Sequence, residues 1–302
     1  FLSREETILL KKYKPWGIIL FSRNIKNLIQ VQKLTKKIRK ITRDPKFPIL
    51  IDQEGGRVTR IKNIIDHRLY SQKYFGNLYQ KDKKKFKTHY RKYITEVCHI
   101  LKLIGVNINT VPVLDLRDKN ANNVIGDRAY SHNPNEVAQI GNFLLNLYKK
   151  NKIGTVTKHI PGHGSAKHDT HHKHSVIRKI KSKLIKKDFK AFRLCQSEFA
   201  MTAHLFYSAY DSLNNATQSK IIINQVIRKH IGFKGILISD DICMKALKFG
   251  LLKNAINALN AGCNLVLHCN GNINEMKKLV KIIPTIDRFT QKKTSQFYNF
   301  LR

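Results

Sequence analysis

The sequence predicts an α/β fold, a TIM-type (β/α)8 barrel in which the first strand is missing or replaced by an irregular segment. Short apolar runs alternate with amphipathic stretches along the chain, which is typical of parallel strands joined by helices. Polar side chains follow several of these runs, as in barrels that carry a site at the carboxyl ends of their strands. The length of 302 residues suits one such domain, over residues 1–302.

A closed barrel of this class has eight strands, but only seven strand-like regions can be counted in the sequence. They cover residues 17–21, 48–52, 106–109 followed by 111–115, 154–157, 200–204, 235–239 and 264–268. Apolar residues recur with helical periodicity in residues 25–41, 134–150 and 181–198. Residues 277–283 and 287–302 are predicted to form closing helices.

The composition excludes some classes of partner. The net charge of +37 would suit a nucleic-acid binder, but the basic residues are scattered over the predicted helices and form no single patch. We therefore expect no specific nucleic-acid partner. No stretch approaches the roughly 20 apolar residues of a membrane span, so we also expect no membrane partner.

Cysteine usage and the start of the chain favour the cytoplasm. The five cysteines are an odd number without a CxxC pair, which does not indicate a disulfide framework. Ser3 precedes Glu5 and Glu6, which is a helix-capping pattern and not the charged leader and apolar core of a signal peptide.

Residues 158–171 hold the densest group of ionisable side chains. Proline and glycine at positions 161, 162 and 164 predict a loop that leaves a strand end. Asp169 and His171 are two residues apart, so in an extended segment the carboxylate can hold the imidazole for proton transfer. A metal-binding or simply solvated loop fits the spacing equally well, because histidines crowd here. They are His163, His168, His171, His172 and His174.

Two other predicted strands end in carboxylates. The apolar run 235–239 is followed by Asp240 and Asp241, and the run 48–51 is followed by Asp52 and Glu54. Neighbouring carboxylates at a buried strand end cost desolvation and repulsion, which favours a functional site over a purely structural role.

Five motifs occur in a fixed order along nearly the whole chain. They are IDQEGGRVTR at 51–60, VIGDRAY at 124–130, KHIPGHG with DTH in 158–171, MTAH at 201–204 and GFKGILISDDICM at 232–244. In these motifs the chain resembles family 3 glycoside hydrolases of the β-N-acetylglucosaminidase (β-hexosaminidase) type, bacterial enzymes of peptidoglycan recycling. That family normally has its first strand just before the position where this sequence starts.

The resemblance implies retaining hydrolysis of terminal non-reducing β-linked N-acetylglucosamine from cell-wall muropeptide fragments. Asp240 would be the nucleophile that forms a covalent glycosyl intermediate, and His171, held by Asp169, would be the acid and base. Asp241 would instead accept hydrogen bonds at the start of the next helix.

The resemblance also assigns sugar binding to five residues, Asp52, Arg60, Arg128, Lys158 and His159. It implies no cofactor and no metal, a small carbohydrate substrate and a monomer. Glu54 and Arg57 are expected to brace one another within their loop. His204 fits either the pocket lining or the packed core equally well.

Some positions depart from the family pattern and leave other functions open. His172 to Ser175 replace an apolar pair after the dyad, Asn215 replaces a proline and Asn264 an aspartate. Phosphorolysis of the same linkage is one alternative, because a neutral histidine repels phosphate less than a carboxylate does. A barrel without catalytic activity that binds through its basic surface is the other.

Overall fold

The computed structural model describes residues 2–117, 125–164, 166 and 175–301, and its centre is a seven-stranded parallel sheet. The strands in the described part of the chain are β1 (Ile18–Leu20), β2 (Ile49–Ile51), β3 (Ile108–Asn109), β4 (Gly154–Ile160), β5 (Ser175–Ile177), β6 (Phe199–Thr202), β7 (Leu205–Tyr207), β8 (Ile236–Asp241) and β9 (Leu265–Leu267). The sheet order is β1-β2-β3-β4-β6-β8-β9, and all its neighbours pair in parallel. All seven predicted strand regions are therefore confirmed, and their carboxyl ends lie at one edge.

The sheet curls around an apolar interior. One packed cluster contains apolar side chains from the strands together with Phe297 from the last helix. The strand residues are Ile19, Leu50, Ile108, Val156, Phe199, Met201, Ile236, Ile238, Leu265 and Leu267. These residues come from all seven strands, and side chains from both edge strands reach one cluster only if the sheet is curled. Between the described residues of β1 and β9, no backbone pairing closes the sheet. The predicted α/β class with a curled parallel sheet is confirmed, and a complete eight-stranded barrel is not.

Helices surround the sheet, most of them on its outer face, and the last one packs Phe297 into the interior cluster. They are α1 (Arg4–Tyr13), α2 (Leu28–Thr42), α3 (Gln72–Lys81), α4 (Lys83–Leu103), α5 (Pro134–Lys150), α6 (Lys181–Lys186), α7 (Asp188–Leu194), α8 (Leu251–Ala261), α9 (Ile273–Ile282) and α10 (Arg288–Phe300). A π-type helix covers Ile222–His230. The predicted cap of α1 is confirmed, since Glu6 donates its backbone N–H to Ser3 Oγ at 3.0 Å and its carboxylate accepts the N–H of Ser3.

The predicted helix over residues 181–198 is wrong in part, because it breaks into α6 and α7 at Lys187. The first residue of α7, Asp188, is buried against the loop that follows β4. A Cβ built on Gly162 in that loop would lie 2.9 Å from the Cβ of Asp188. This packing is a tertiary contact that helical periodicity does not register.

Strand ends also differ from the prediction. β4 extends to Ile160, so Lys158 and His159 lie on a strand and not in the loop. Of the predicted strand 111–115, only an isolated bridge between Val113 and Lys158 forms, next to a proline that has no N–H for a sheet. A second, two-stranded parallel sheet of β5 and β7 was not predicted.

The five cysteines are free, and none is paired in a disulfide. No helix in the described ranges has both the length and the apolar character needed to cross a membrane.

Candidate active site

Four parallel strands deliver predicted site residues to one edge of the sheet. Asp52 directly follows β2, Lys158 and His159 lie near the end of β4, and Asp240 lies near the end of β8. His204 follows β6 at the same edge. The curl of the sheet brings these strand ends around a common opening, as expected for a barrel site.

A glycine turn after β2 directs Glu54 into this opening. Gly55 and Gly56 have φ values of +89° and +59°, which a residue with a side chain rarely adopts. A Cβ on Gly55 would also lie 2.3 Å from the carbonyl oxygen of Tyr70. The Gly-Gly pair of the motif is therefore required by the turn itself.

Lys158 joins the partly buried carboxylate of Asp52 to the buried carboxylate of Glu54. Its Nζ lies 3.0 Å from Asp52 Oδ1 and 2.6 Å from Glu54 Oε1, and its side chain is only 3% exposed. Thr110 donates a further hydrogen bond to Asp52, and its hydroxyl also accepts from Lys158 Nζ at 2.9 Å. Arg60 Nη2 lies 3.3 Å from the other oxygen of Asp52.

Arg128 completes the cluster with a bidentate pair. Its Nε and Nη2 lie 2.8 Å from the two oxygens of Glu54, whose side chain is fully buried. The prediction that Glu54 and Arg57 brace each other is wrong. Arg57 pairs with Asp127 at 3.0 Å instead, because the turn points Glu54 inward while Arg57 remains largely exposed.

The cluster is ionised at neutral pH. Burial alone would raise the pKa of Glu54, but Arg128 and Lys158 outweigh it and lower that pKa to about 2. Burial opposes ionisation of Asp52 as well, yet Lys158 and Arg60 lower its pKa below the ordinary value. Burial would lower the pKa of Lys158, but the two carboxylates raise it. The charges stabilise one another, so the opening presents preorganised donors and acceptors.

Asp115 was missed by sequence reasoning. It lies fully buried after the isolated bridge at Val113, and its Oδ2 is 2.6 Å from His159 Nδ1. Arg128 Nη2 lies 3.5 Å from His159 Nε2. A carboxylate only accepts, so the ring Nδ1 of His159 carries a proton and donates it to Asp115. An aspartate that ends an apolar run, as in Val113-Leu114-Asp115, was the available signal.

The two aspartates that end β8 have different surroundings. Asp241 Oδ1 accepts the backbone N–H groups of Cys243 and Cys269, each at 3.1 Å. The prediction that it accepts backbone N–H groups is confirmed, but its place at a helix start is wrong, since α8 begins only at Leu251.

Asp240 faces the basic groups of the opening. Burial would raise its pKa, but His159 and His204 outweigh that effect and lower it, together with a hydrogen bond from the N–H of Asp241. This carboxylate is therefore ionised at neutral pH.

His204 belongs to the packed side of the site. It is 1% exposed, and its Nδ1 lies 2.7 Å from Thr217 Oγ1. Its Nε2 donates to the carbonyl oxygen of Asp241 at 2.9 Å. Both ring nitrogens are bonded within the protein, so His204 supports the strand end.

The predicted Asp169–His171 dyad lies outside the described residues. So do His168, His172 and His174, which the alternative metal-loop interpretation used. Of the loop, residues 161–164 and 166 are described, and the N–H of His163 donates to Asp115 Oδ1 at 2.6 Å. Asp115 thus anchors both the end of β4 and the start of the loop.

Comparison with known proteins identifies relatives of this chain. The family model for the glycosyl hydrolase family 3 N-terminal domain matches residues 2–296. The chain is 36% identical over 275 residues to a beta-hexosaminidase of Nitrosomonas eutropha, covering 89% of this chain and 78% of that protein. It is 34% identical over 275 residues to a beta-hexosaminidase of Neisseria meningitidis, covering 89% and 75%. The crystal structure of NagZ from Neisseria gonorrhoeae in complex with N-trifluoroacetyl-D-glucosamine superposes with a TM-score of 0.87 at 30% identity, covering 100% of this chain and 86% of that one.

Proposed function

The chain belongs to glycosyl hydrolase family 3, and we propose that it removes terminal non-reducing β-linked N-acetylglucosamine from cell-wall muropeptide fragments. It is a glycoside hydrolase of the β-N-acetylhexosaminidase type, like the relatives named above. The observation that carries the proposal is the ionised cluster of Asp52, Glu54, Lys158 and Arg128, whose Lys158 also lowers the pKa of Asp240.

The cluster suits a sugar ring. Asp52 keeps acceptor capacity for hydroxyl groups, and Arg60 presents a guanidinium beside it. His159 and Lys158 complete the proposed binding set with Arg128, and Asp115 positions His159. Fixed charges orient the sugar before reaction, so little reorganisation remains to be done in the transition state.

The proposed reaction has two steps with retention of configuration. The ionised carboxylate of Asp240 bonds to the anomeric carbon while the bond to the leaving oxygen breaks, and that oxygen takes a proton from His171. Water then attacks the same carbon, gives its proton to His171 and releases the ester bond to Asp240. Asp169 would hold the imidazole in orientation during both proton transfers.

Substrate class and reaction type can be tested together. The protein is incubated with a chromogenic β-N-acetylglucosaminide and with the matching β-glucoside, and then with a muropeptide fragment. We expect release from the N-acetylated substrate and free N-acetylglucosamine as the product with or without phosphate. If a sugar phosphate forms when phosphate is present, the reaction is phosphorolysis and not hydrolysis. If the folded protein releases no product from any of these substrates, the proposal is refuted.

The role of His171 has its own test. His171→Ala should slow the first step least for substrates with good leaving groups, which need little protonation. Azide needs no general base, so it should rescue the variant and form a β-glycosyl azide. If the variant loses the same factor in rate for all leaving groups and forms no azide adduct, His171 is not the acid and base, and His163 or His168 becomes the candidate.

A further inference from the structure

Three potential metal ligands meet on the rim of the sheet, outside the sugar-binding cluster. Cys243 lies in the loop after β8, His268 directly follows β9, and Glu275 lies in the first turn of α9. His268 Nε2 is 2.8 Å from Glu275 Oε2, and Cys243 Sγ is 3.9 Å from the same oxygen. All three ligand atoms lie within 4.8 Å of one another, and they are the one such group of His, Cys, Asp and Glu side chains found in the described ranges.

The mixture of sulfur, nitrogen and oxygen donors favours zinc. Thiolate and imidazole ligands suit Zn²⁺ and do not suit Mg²⁺ or Ca²⁺, which take oxygen ligands. In a tetrahedral zinc site with ordinary bond lengths, ligand atoms lie about 3.4–3.6 Å apart. The Cys243 and Glu275 atoms are close to that spacing, and His268 and Glu275 would have to separate by only about half an ångström.

The backbone around two of the ligands is held by one carboxylate. Asp241 Oδ1 accepts the N–H of Cys243 and the N–H of Cys269, the residue after His268. The loop after β8 and the end of β9 are thereby fixed relative to each other. A site on braced backbone loses little conformational entropy when it binds a cation.

The third ligand is also held in place. Glu275 accepts a hydrogen bond from Asn270 Nδ2 at 2.6 Å, and its backbone N–H donates to Asn272 Oδ1 at 3.3 Å. Its side chain is 34% exposed while that of His268 is 10% exposed. The group is therefore open to solvent on the Glu275 side, which provides an entry path for a cation and room for a water.

We propose that Cys243, His268 and Glu275 bind one Zn²⁺ ion, with a fourth coordination position open to water. The ion links the loop after β8 to the end of β9 and the start of α9. Because Asp241 adjoins Asp240, zinc at this site stiffens the strand end that carries the candidate nucleophile. The site depends on none of the groups assigned to hydrolysis, so its test stands whether or not the hydrolase proposal holds.

The test uses cobalt as a spectroscopic replacement for zinc in the full chain after treatment with a chelator. A cysteine ligand gives a thiolate-to-cobalt charge-transfer band in the near ultraviolet, whereas a site made only of the histidines that follow β4 in the sequence gives none. We expect one equivalent of Co²⁺ to produce this band and Zn²⁺ to displace it. Zinc should also raise the melting temperature, because it binds the folded state.

Variants identify the ligands. Cys243→Ser should abolish the band, and His268→Gln and Glu275→Gln should each weaken cobalt binding by at least about tenfold. Cys269→Ser is the matched control, because this neighbouring cysteine is not in the group and its variant should keep the band. The glutamine variants still decide the question if Cys243→Ser does not fold. A missing band in the parent protein, a band that survives Cys243→Ser, or unweakened binding in both glutamine variants overturns the proposal.

Discussion

Asp115 holds His159 by a hydrogen bond of 2.6 Å from the ring Nδ1, and by the backbone N–H of the same residue at 3.2 Å. Through its other oxygen it accepts the N–H of His163. One buried carboxylate thus orients the ring of a predicted sugar-binding residue and fixes the start of the loop that carries the predicted acid and base.

Asp115→Asn should weaken both substrate binding and the fold. The amide is neutral and has only one acceptor oxygen, so both residues lose the charge and either His159 or His163 loses its hydrogen-bond acceptor. We expect unfolding free energy to fall by about 1–3 kcal/mol and KM to rise more than kcat falls. Urea unfolding and steady-state kinetics on the chromogenic substrate measure the two effects.

Asp66→Asn is the control for this variant, because Asp66 pairs with Arg68 on the exposed surface. It should change neither quantity, since exposed ion pairs contribute little. An Asp115→Asn protein with unchanged stability and unchanged KM would contradict the positioning role.

Glu54→Gln should be strongly destabilising. The substitution keeps the shape of the side chain but leaves Lys158 and Arg128 with one buried carboxylate fewer. Breaking a buried ion pair by removing one partner costs about 3–5 kcal/mol. Denaturant unfolding measures the loss, with Glu5→Gln, which removes a half-exposed pair with Lys277, as the control. A loss no larger than that of the control would show that the cluster is not electrostatically coupled.

The same carboxylate predicts a pH dependence. The pKa of Glu54 is lowered to about 2 in the folded protein, so its ionised form stabilises the fold above the ordinary pKa of about 4.5. That contribution is lost as pH falls from about 4.5 towards 2. The gap in unfolding free energy between parent and Glu54→Gln should therefore be constant from pH 7 to 5 and shrink below pH 4.5. A gap that does not change down to pH 3 would contradict the lowered pKa.

Substitutions of Asp240 and Asp241 should have different effects, the first on turnover and the second on stability. Asp240→Ala should abolish turnover, a loss of several orders of magnitude, with little change in melting temperature. Asp241→Ala should mainly destabilise the fold, by about 1–3 kcal/mol, because the N–H groups of Cys243 and Cys269 lose their acceptor. Turnover and melting temperature are measured on both variants. If Asp241→Ala were the inactive and stable variant, the nucleophile would be Asp241.

Local patterns were sufficient for most elements of the fold. The apolar run before Asp52 predicts β2, and the helical periodicity of residues 134–150 predicts α5 with the bounds found, because both signals depend on neighbours in the chain. The break between α6 and α7 was not predictable in this way. It follows from the burial of Asp188 against Gly162, which lies 26 residues earlier.

The candidate site likewise has residues that the sequence predicts and contacts that it does not. Strand-end position marked Asp52 and Asp240, since parallel strands place their carboxyl ends together, and the family resemblance marked Lys158. The partner of Glu54 was predicted wrongly as Arg57, its neighbour in the chain, while Arg128, 74 residues away, occupies that place. The apolar run before Asp115 was an available signal for a strand end, but it does not show that Asp115 contacts His159, 44 residues later in the chain.

By itself, then, the sequence determined the parallel α/β class, the strand ends that carry polar groups and the order of the family motifs. These features depend on residues that are close together in the chain, because the alternation of buried and exposed positions in an element appears directly as a pattern of apolar and polar residues. Only the tertiary structure decided which charges pair, that Asp241 binds backbone N–H groups from two separate segments, and that Cys243, His268 and Glu275 meet. Each of those contacts joins segments that the curl of the sheet brings together, and the energy of such a contact depends on distance in space and not on separation along the chain.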